Sequence, residues 1–522
     1  MIDIELAIRN YRCFGDEPAR IRIADGFTAF VGVNNSGKSS LLRFLYEIRT
    51  LLRIYGADSN QWATTLLRGG SPGTIWQPIV LGGERALRAD TERPMELEFV
   101  VHEGPAGAFK LNNELLVHKI KYTSEGTSGE LRTERGTVIA GPDTPLDAQL
   151  SSQLSFEPFH AAMGELADTM YIGPFRNTIN VGAQASYYDI KTGDAFVNTF
   201  AEYKSGENPA HNEAIFQLIA ELQRIFGFSS LDINASPDKK TLQIMADGRS
   251  YRLSEQGAGL AHFIVVLVNV LVRRPGLLLI DEPELNLHAS LQLDFLTTLA
   301  KYTRNGVIFA THSLGLARTA SDRIYTLTKP LGEASSVQPY ERDRELVTLL
   351  GQLSFGGVPE LGFSKILLVE GKTELRALMQ FLRLYGKEHE VLMLPLHGDE
   401  MIRPDVGQEI SQLSRISSNI SYLIDSERNS EDAPLARNRQ GFVDLCAQQG
   451  IQGLVLERRA LENYFPEAAV KRAFSDSATA LGPYEKKGPG QGWPKANNWR
   501  VASLMTRSDL EGTDLGNFLE TL

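Results

Sequence analysis

Residues 31–40 of the chain, VGVNNSGKSS, constrain its fold more than any other stretch. Gly32 is followed by four residues and then by Gly37, Lys38 and Ser39, which is the G-x-x-x-x-G-K-[ST] spacing of a phosphate-binding loop. Glycines at these positions let backbone N–H groups turn inward around phosphate oxygens, and the positive end of the following helix dipole adds to the attraction. The spacing therefore predicts a nucleotide-binding α/β fold.

The segments on both sides of the loop support this prediction. The apolar run 27–31 predicts a strand, and the apolar spacing within 39–52 predicts a helix. In such a loop Lys38 reaches the β- and γ-phosphates of ATP, and the hydroxyl of Ser39 binds Mg²⁺. The residues expected to contact the nucleotide are Gly32, Asn34, Asn35, Gly37, Lys38, Ser39 and Ser40.

The composition is that of a globular protein with several domains. A length of 522 residues corresponds to about two to four domains. The formal charge is −11, from 53 basic and 64 acidic residues, so a nucleic-acid partner would have to bind a local basic patch.

The cysteine content and the apolar runs indicate the cellular compartment in which the protein is expected. Cys13 and Cys446 are too few and too far apart for a disulfide framework, which fits a reducing compartment. The first residues lack the basic and apolar pattern of a signal peptide, and the apolar run 263–272 is shorter than a membrane span. We therefore expect a cytoplasmic protein that does not associate with membranes.

A second group of candidate ATP-handling residues lies between 253 and 313. In LSEQGAG, the hydroxyl of Ser254 and the N–H of Gly257 precede an apolar helix, which is a weak signal of another anion site. The apolar strand LLLID ends in Asp281, which can hold Mg²⁺, and the next residue, Glu282, can orient or deprotonate the attacking water. His312 follows the strand 306–310, where it could touch the γ-phosphate. An isolated histidine there would more often be a buried structural residue.

Taken together, GVNNSGKSS, LSEQGAG, LLLIDEPELNLH and ATHS resemble the phosphate loop, signature, acidic strand and switch histidine of ABC-type ATPase heads. The resemblance covers about residues 1–330, within which we interpret 56–170 as a β-rich insertion. In that family two heads enclose ATP, which implies that Ser254 and Gly257 of one chain face the nucleotide on another. ATP and Mg²⁺ are then the cofactors, and a homodimer or larger homo-oligomer is expected. Arg176 is a further candidate for a phosphate or subunit contact, although lone arginines are mostly solvated.

The C-terminal part, from 362 to 522, follows a connector rich in proline, glycine and charge at 331–361. Three apolar stretches separated by helical segments predict strands, and each is followed by acidic residues, among them Glu370, Asp399 and Asp425. Because the carboxyl ends of parallel strands share one edge of a sheet, an α/β domain with gathered carboxylates is expected. Such oxygen ligands favour Mg²⁺ or Mn²⁺, and two such ions can catalyse phosphodiester cleavage. The alternative is that these acids are solvated loop residues.

VEGKTE followed by DSE resembles the TOPRIM metal site of topoisomerases, primases and some nucleases. The resemblance implies that Glu370 is a catalytic acid or metal ligand, that Glu374 is a ligand of a second metal, and that Asp425 is a principal ligand. The family usually has two aspartates in the last element, whereas this chain has Asp425 and Glu427. The role of Glu427 as a metal ligand is therefore the least defined.

The stretch LERRALENYF resembles one that often occurs in TOPRIM proteins fused to ATPases, and it makes Glu462 another candidate metal ligand. The tail segment 485–500 interleaves Lys486, Lys487, Lys495 and Arg500 with two tryptophans, which could steady a scissile phosphate or stack a base. We assign Lys495 to the transition-state charge as a catalytic residue. A solvated loop before the terminal helix is an equally good interpretation of this segment.

An ABC-type head followed by a TOPRIM domain resembles the OLD (overcoming lysogenization defect) family of ATPase–nucleases, which includes the ATPase–nuclease subunit of Gabija anti-phage systems. The resemblance implies an ATP-regulated, divalent-metal-dependent endonuclease that acts on DNA in anti-phage defence, with a second defence protein as a possible partner. Two alternatives stay open. One is an infection-triggered toxin that cleaves RNA such as tRNA. The other is an ATP-dependent sensor, scaffold or RecF-like repair ATPase with an inactive TOPRIM site.

Overall fold

The computed structural model describes residues 2–57, 87–123, 126–174, 186–255, 257–330, 332–340, 365–388, 390–396, 419–488 and 493–522. Contacts within the chain define two compact units, the first made of 1–317 and 323–340, the second of 318–322 and 341–522. Arg176 and Asp399, singled out above, lie outside the described residues, and only the backbone of Ser254 is described.

The strands of the first unit, in the part of it that is described, are β1 (Asp3–Arg9), β2 (Ala19–Ala24), β3 (Gly26–Gly32), β4 (Met95–Glu103), β5 (Lys110–Leu111), β6 (Glu114–Thr123), β7 (Gly126–Thr133), β8 (Val138–Ala140), β9 (Thr169–Ile172), β10 (Ser186–Tyr187), β11 (Ile190–Lys191), β12 (Leu231–Ala235), β13 (Leu242–Ala246), β14 (Arg249–Arg252), β15 (Leu277–Asp281), β16 (Gly306–Thr311), β17 (Arg323–Thr328) and β18 (Ser336–Pro339).

The helices that accompany these strands are α1 (Lys38–Glu47), α2 (Arg49–Ala57), α3 (Ala148–Gln153), α4 (Glu157–Ala167), α5 (Gly193–Ser205), α6 (Pro209–Phe226), α7 (Ala258–Arg273), α8 (Ala289–Lys301) and α9 (Leu314–Ala320). A 3₁₀ turn, Leu253–Glu255, precedes α7. No helix in the described segments is long and apolar enough to cross a lipid bilayer.

An antiparallel sheet joins the start of the chain to residues 95–140. Its order is β2-β1-β4-β6-β7-β8, with β5 beside β6. Alternate residues of β1, such as Ile4, Leu6 and Ile8, are fully buried, because one face of this sheet packs on the core. The strands expected in the 56–170 region therefore continue the sheet that β1 begins, and helices α3 and α4 follow them.

The phosphate loop follows the carboxyl end of β3, an interior strand of a second sheet that is ordered β18-β17-β3-β16-β15-β9. All neighbouring strands from β17 to β9 are parallel, and only β18 is antiparallel. Every residue of β15 and β16 is buried, as expected for central strands covered on both faces. The predicted strand 27–31 is confirmed by β3, and the predicted helix 39–52 is divided at Ile48 into α1 and α2.

The second unit contains a fully parallel sheet ordered β20-β19-β21-β22. Its strands are β19 (Lys365–Val369), β20 (Val391–Pro395), β21 (Ile420–Ile424) and β22 (Gln452–Val455). Its helices are α10 (Lys372–Leu384), α11 (Arg437–Gln448), α12 (Glu467–Ala473), α13 (Asn498–Ala502) and α14 (Asp514–Thr521). The three strands predicted from the apolar stretches are confirmed as β19, β20 and β21.

Candidate functional sites

The phosphate loop turns sharply where its glycines allow it. Gly37 has φ 107°, a left-handed conformation that L-residues with a side chain rarely adopt, and Asn35 has φ 65°. A Cβ on Gly32 would lie 2.5 Å from the carbonyl oxygen of Leu327, so no larger residue fits there. Helix α1 begins directly after Gly37, which directs its unpaired N–H groups at the loop.

Lys38 lies across the loop that it follows. Its ammonium donates hydrogen bonds to the carbonyl oxygens of Gly32 at 2.8 Å and Val33 at 2.9 Å. Burial lowers the pKa of Lys38, and the carboxylates of Asp281 and Glu282 oppose that change. The lysine is thus held over the loop, where a phosphate oxygen can replace the carbonyl acceptors.

The candidate Mg²⁺ ligands of this site fit that ion. Asp281 ends β15 with 3% of its surface exposed, and its Oδ1 has no hydrogen-bond partner among the described residues. The hydroxyl of Tyr171 is 3.5 Å from its other oxygen. Burial raises the pKa of Asp281, whereas a hydrogen bond from Ser39 lowers it. A buried carboxylate oxygen without a partner, beside a serine hydroxyl, is the hard-oxygen chemistry that Mg²⁺ selects.

Glu282 and His312 meet at the mouth of the same pocket. His312 Nε2 lies 3.4 Å from Glu282 Oε1. Glu282 has φ 55°, an unusual backbone conformation for a residue with a side chain, and such outliers concentrate at functional sites. The turn after β15 therefore aims this carboxylate toward the histidine at the end of β16.

Sequence reasoning missed Glu284, two residues further along the same turn. Its Oε1 accepts hydrogen bonds from the hydroxyl of Thr311 at 2.7 Å and from the N–H of His312 at 3.0 Å. Its charge also opposes the lowering of the Lys38 pKa. The second glutamate of the DEPE sequence was the available signal.

The pocket also contains residues from the loop after β1. It has a volume of about 430 Å³. The guanidinium of Arg12 donates to the buried carboxylate of Glu47 and, at 2.8 Å, to the hydroxyl of Tyr11. Gly257 is not among the described residues that line the pocket. The lining residues are Arg12, Cys13, Asn34, Asn35, Ser36, Gly37, Lys38, Ser39, Ser40, Glu282 and His312.

Comparison with known proteins identifies related sequences for this unit. Residues 1–54 match a family model described as "AAA ATPase domain". Residues 142–318 match one described as "AAA domain, putative AbiEii toxin, Type IV TA system". A segment of 73 residues is 45% identical to the hemin import ATP-binding protein HmuV of Rhodopseudomonas palustris, and it covers 13% of this chain and 27% of that protein.

The solved structures that match this chain include two SMC head domains. The head from Thermotoga maritima has a TM-score of 0.33 at 15% identity, covering 66% of this chain and 100% of that one. A head from Pyrococcus furiosus with an extended coiled coil, bound to the C-terminal domain of ScpA, has 0.32 at 14% identity, covering 68% and 100%. The phosphate loop, the pocket around it and the two family matches define the first unit as a P-loop ATPase of the AAA type.

In the second unit, carboxylates gather at the carboxyl ends of adjacent parallel strands. Glu370 follows β19, Asp425 follows β21, and the N–H of Asp425 donates to Glu370 Oε2 at 3.1 Å. Glu374 lies in the first turn of α10 and is 7% exposed, and Glu462 lies in the 3₁₀ turn Leu461–Tyr464 and is 2% exposed. Glu370 and Asp425 are thus adjacent, and Glu374, Glu427 and Glu462 lie near enough to affect the pKa of one or both of them.

The electrostatics of these carboxylates show that they repel one another. Burial raises the pKa of Asp425 well above its usual value, and Glu374, Glu370 and Glu462 raise it further. Burial also raises the pKa of Glu370. The charge of Arg439 lowers this pKa, and the charge of Glu374 raises it. A divalent cation would relieve this repulsion.

Basic residues partly neutralise the cluster. The guanidinium of Arg439, with a side chain 5% exposed, pairs with Glu370 and donates to the carbonyl oxygen of Asp425 at 2.8 Å. Lys495 Nζ lies 2.8 Å from Glu462 Oε1. Glu427, which has φ 54°, pairs with Arg459, so its carboxylate is directed to that arginine.

The donor chemistry of the cluster fits Mg²⁺ or Mn²⁺, since Glu370, Glu374, Asp425 and Glu462 offer only oxygen ligands. In the described part of the chain, no group of three acidic, histidine or cysteine side chains is positioned to bind a metal ion. Binding would therefore require the side chains to turn from their present partners.

Proposed function

We propose that this protein is an ATP-regulated, divalent-metal-dependent endonuclease that cuts DNA. The observation that carries the proposal is the placement of Glu370 and Asp425 at the ends of adjacent parallel strands, with Glu374 and Glu462 close enough to raise the pKa of Asp425. Like charges are costly to bury, so a structural role alone gives no reason to gather four of them. The TOPRIM resemblance of VEGKTE and DSE agrees with this placement.

In this proposal Glu370, Glu374, Asp425 and Glu462 would hold the divalent cation. When bound, the cation supplies charge neutralisation at the phosphate and an activated water. Arg439 pairs with Glu370 and holds it beside the end of β21 through the carbonyl of Asp425. Lys495 orients Glu462, and the basic residues around the cluster offset the charge that an incoming phosphodiester brings.

We propose further that nucleotide occupancy of the first unit shifts the population between two homo-oligomeric arrangements and so regulates cleavage. Lys38, Ser39 and Asp281 would hold ATP and Mg²⁺, Glu282 would orient the attacking water, and His312 would contact the γ-phosphate. Ser254 and Gly257 would complete the site of a second copy. The role in defence against phage, with a second protein as partner, and a cytoplasmic location belong to the same proposal.

A second candidate is a toxin that cleaves RNA such as tRNA. The family model that matches residues 142–318 names an AbiEii toxin of a type IV toxin–antitoxin system, which favours this candidate over a housekeeping role. The catalytic cluster would be the same, because both nucleic acids present a phosphodiester.

The test is incubation of the purified chain with supercoiled plasmid and, separately, with total tRNA, in Mg²⁺ or Mn²⁺, with and without ATP. Glu370→Ala should abolish cleavage while ATP hydrolysis persists, and Lys38→Ala should remove the effect of ATP on cleavage. Cleavage of tRNA alone would favour the toxin. If neither substrate is cut although ATP is hydrolysed, the nuclease proposal fails, and an ATP-dependent sensor, scaffold or repair ATPase takes its place.

A further inference from the structure

Two lysines of the tail segment lie near the carboxylate cluster, and they differ in their partners. Lys495 is bound to Glu462 at 2.8 Å. Burial opposes its charged form, but Glu462, Asp425 and Glu374 outweigh that effect and raise the pKa of Lys495. Its ammonium is thus already paired with a carboxylate of the site.

Lys487 differs from Lys495 in its contacts. Its Nζ lies 3.9 Å from the centre of the Trp493 ring and has no hydrogen-bond partner in the part of the chain that the structure describes. Burial lowers the pKa of Lys487 to about 8, with Lys495 adding to the change and Glu462 opposing it. The side chain therefore still carries a positive charge in most molecules at neutral pH.

The ring beneath Lys487 belongs to the same network as the site. Trp493 stacks on Phe474 with ring centres 5.4 Å apart, and its Nε1 donates to Asn498 Oδ1 at 2.8 Å. The amide of Asn498 in turn donates to Glu462 Oε2 at 3.3 Å. Trp493 thus connects Lys487, through Asn498, to a carboxylate of the cluster.

We propose that Lys487 binds a backbone phosphodiester of the DNA substrate at the carboxylate site, while Lys495 holds Glu462 in place. The inference rests on the proposed nuclease function and deepens it. An ammonium has three donors, and shielding them from water without an acceptor is costly, whereas a phosphate supplies several acceptor oxygens. The flexible four-carbon stem lets the ammonium leave the ring and reach a phosphate.

The surroundings explain why binding a phosphate would require a further cationic side chain. Four carboxylates repel a phosphodiester, and Arg439 and Lys495 are already paired with Glu370 and Glu462. Lys487 retains its full donor capacity and lies close enough to influence Glu462 and Lys495 electrostatically. Phosphate binding, which the sequence alone had suggested for the tail segment as a whole, is therefore assigned to Lys487 in this segment.

The test measures DNA binding without catalysis. The full chain, kept in EDTA so that no cleavage occurs, is titrated against a fluorescein-labelled DNA duplex by anisotropy across a series of salt concentrations. Lys487→Met keeps an unbranched stem over Trp493 and removes the charge, and Lys487→Gln serves as a second variant if the methionine variant folds poorly. Lys486→Met is the matched control, because Lys486 is the exposed neighbouring lysine.

We expect Lys487→Met to weaken binding about fivefold to tenfold at about 0.1 M salt and to reduce the slope of log K against log salt by about 0.9. Lys486→Met should change binding less than about twofold. Unchanged binding and slope in Lys487→Met, or equal losses in both variants, would overturn the inference and make Lys487 a packing residue or one of many surface charges.

The outcomes separate this inference from the proposed function. If the wild-type chain never cuts DNA in Mg²⁺ or Mn²⁺, yet its DNA binding still depends on Lys487, the phosphate contact stands and the nuclease proposal fails. If the chain cuts DNA but binds it equally with and without Lys487, the nuclease proposal stands and this inference fails. An RNA duplex forms a second arm, and binding of RNA alone would reject DNA as the ligand.

Discussion

The carboxylate of Glu284 accepts a hydrogen bond of 2.7 Å from the hydroxyl of Thr311. Thr311 ends β16, and Glu284 lies in the turn after β15, so the contact joins the ends of two neighbouring parallel strands. The same carboxylate oxygen accepts the N–H of His312 at 3.0 Å. Glu284 therefore fixes the backbone of the histidine that faces Glu282.

Replacing Glu284 by alanine should slow ATP hydrolysis more than it weakens ATP binding. The change leaves the hydroxyl of Thr311 and the N–H of His312 without their acceptor, a loss of about 1–3 kcal/mol. We expect kcat to fall about tenfold or more and KM to change less than about threefold. Glu284→Gln keeps an acceptor oxygen and should retain more activity. Equal kcat in Glu284→Ala and wild type would contradict the positioning role.

Glu282→Gln and Lys38→Ala should separate hydrolysis from binding. Glu282→Gln removes a base that can accept a proton, so kcat should fall about 10²- to 10⁴-fold while a fluorescent ATP analogue still binds. Lys38→Ala should weaken binding of the analogue itself, since the loop loses its ammonium. A Glu282→Gln variant that binds poorly would show that the glutamate holds the nucleotide instead.

Removal of Arg439 should make the second unit depend on metal. Arg439→Ala leaves Glu370, whose side chain is 12% exposed, and the carbonyl of Asp425 without their partner. Loss of one partner costs about 3–5 kcal/mol in fully buried pairs. Because a divalent cation can replace the lost positive charge, Mn²⁺ should raise the unfolding temperature of Arg439→Ala more than that of wild type. The double variant Glu370→Ala/Arg439→Ala should lose that extra gain. The measurement is thermal unfolding with Mn²⁺ or EDTA, and equal gains in all three proteins would count against a metal site.

The stability of the first unit should depend on Glu221 in acid. Burial opposes its ionisation, but Arg224 and Lys301 outweigh burial and lower the pKa of Glu221 to about 2. Relative to a usual value of 4.5, this is about 2.5 pKa units, or about 3 kcal/mol. That stability is fully present above about pH 4.5 and is lost as the pH falls toward about 2.

Glu221→Gln tests this dependence directly. We expect its urea midpoint to lie below that of wild type at pH 7 and the difference to shrink at pH 3, because the carboxyl of the unfolded wild-type chain is then largely protonated while that of the folded chain is still mostly ionised. The exposed Glu213, eight positions earlier in α6, offers a matched control as Glu213→Gln. A gap of equal size at both pH values would show that packing, not charge, causes the loss.

The sequence predicted the elements that depend on local pattern. The phosphate loop, the strand before it and the helix after it follow from glycine spacing and apolar periodicity, and β15 follows from its unbroken apolar run. The acids at the ends of β19 and β21 were predictable for the same reason, since carboxyl ends of parallel strands share an edge.

Partners that are distant in sequence could not be predicted. Three ion pairs illustrate this: Glu427 with Arg459, Lys495 with Glu462, and Arg12 with Glu47. Each pair depends on tertiary packing, which the spacing of residues in the sequence does not determine. The pairing of β1 with β4 escaped notice for this reason too, because about ninety residues separate Leu6 from its partner Phe99.

Strand β3, which carries the phosphate loop, lies between β16 and β17. Phe30 of β3 is paired with Ala310 on one side and with Tyr325 on the other, both about 280–295 residues later in the chain. Closing such long loops is entropically costly and slows folding. During synthesis β3 has neither of its neighbouring strands until most of the first unit has left the ribosome. The nucleotide-binding loop is thus made long before the strands that anchor it.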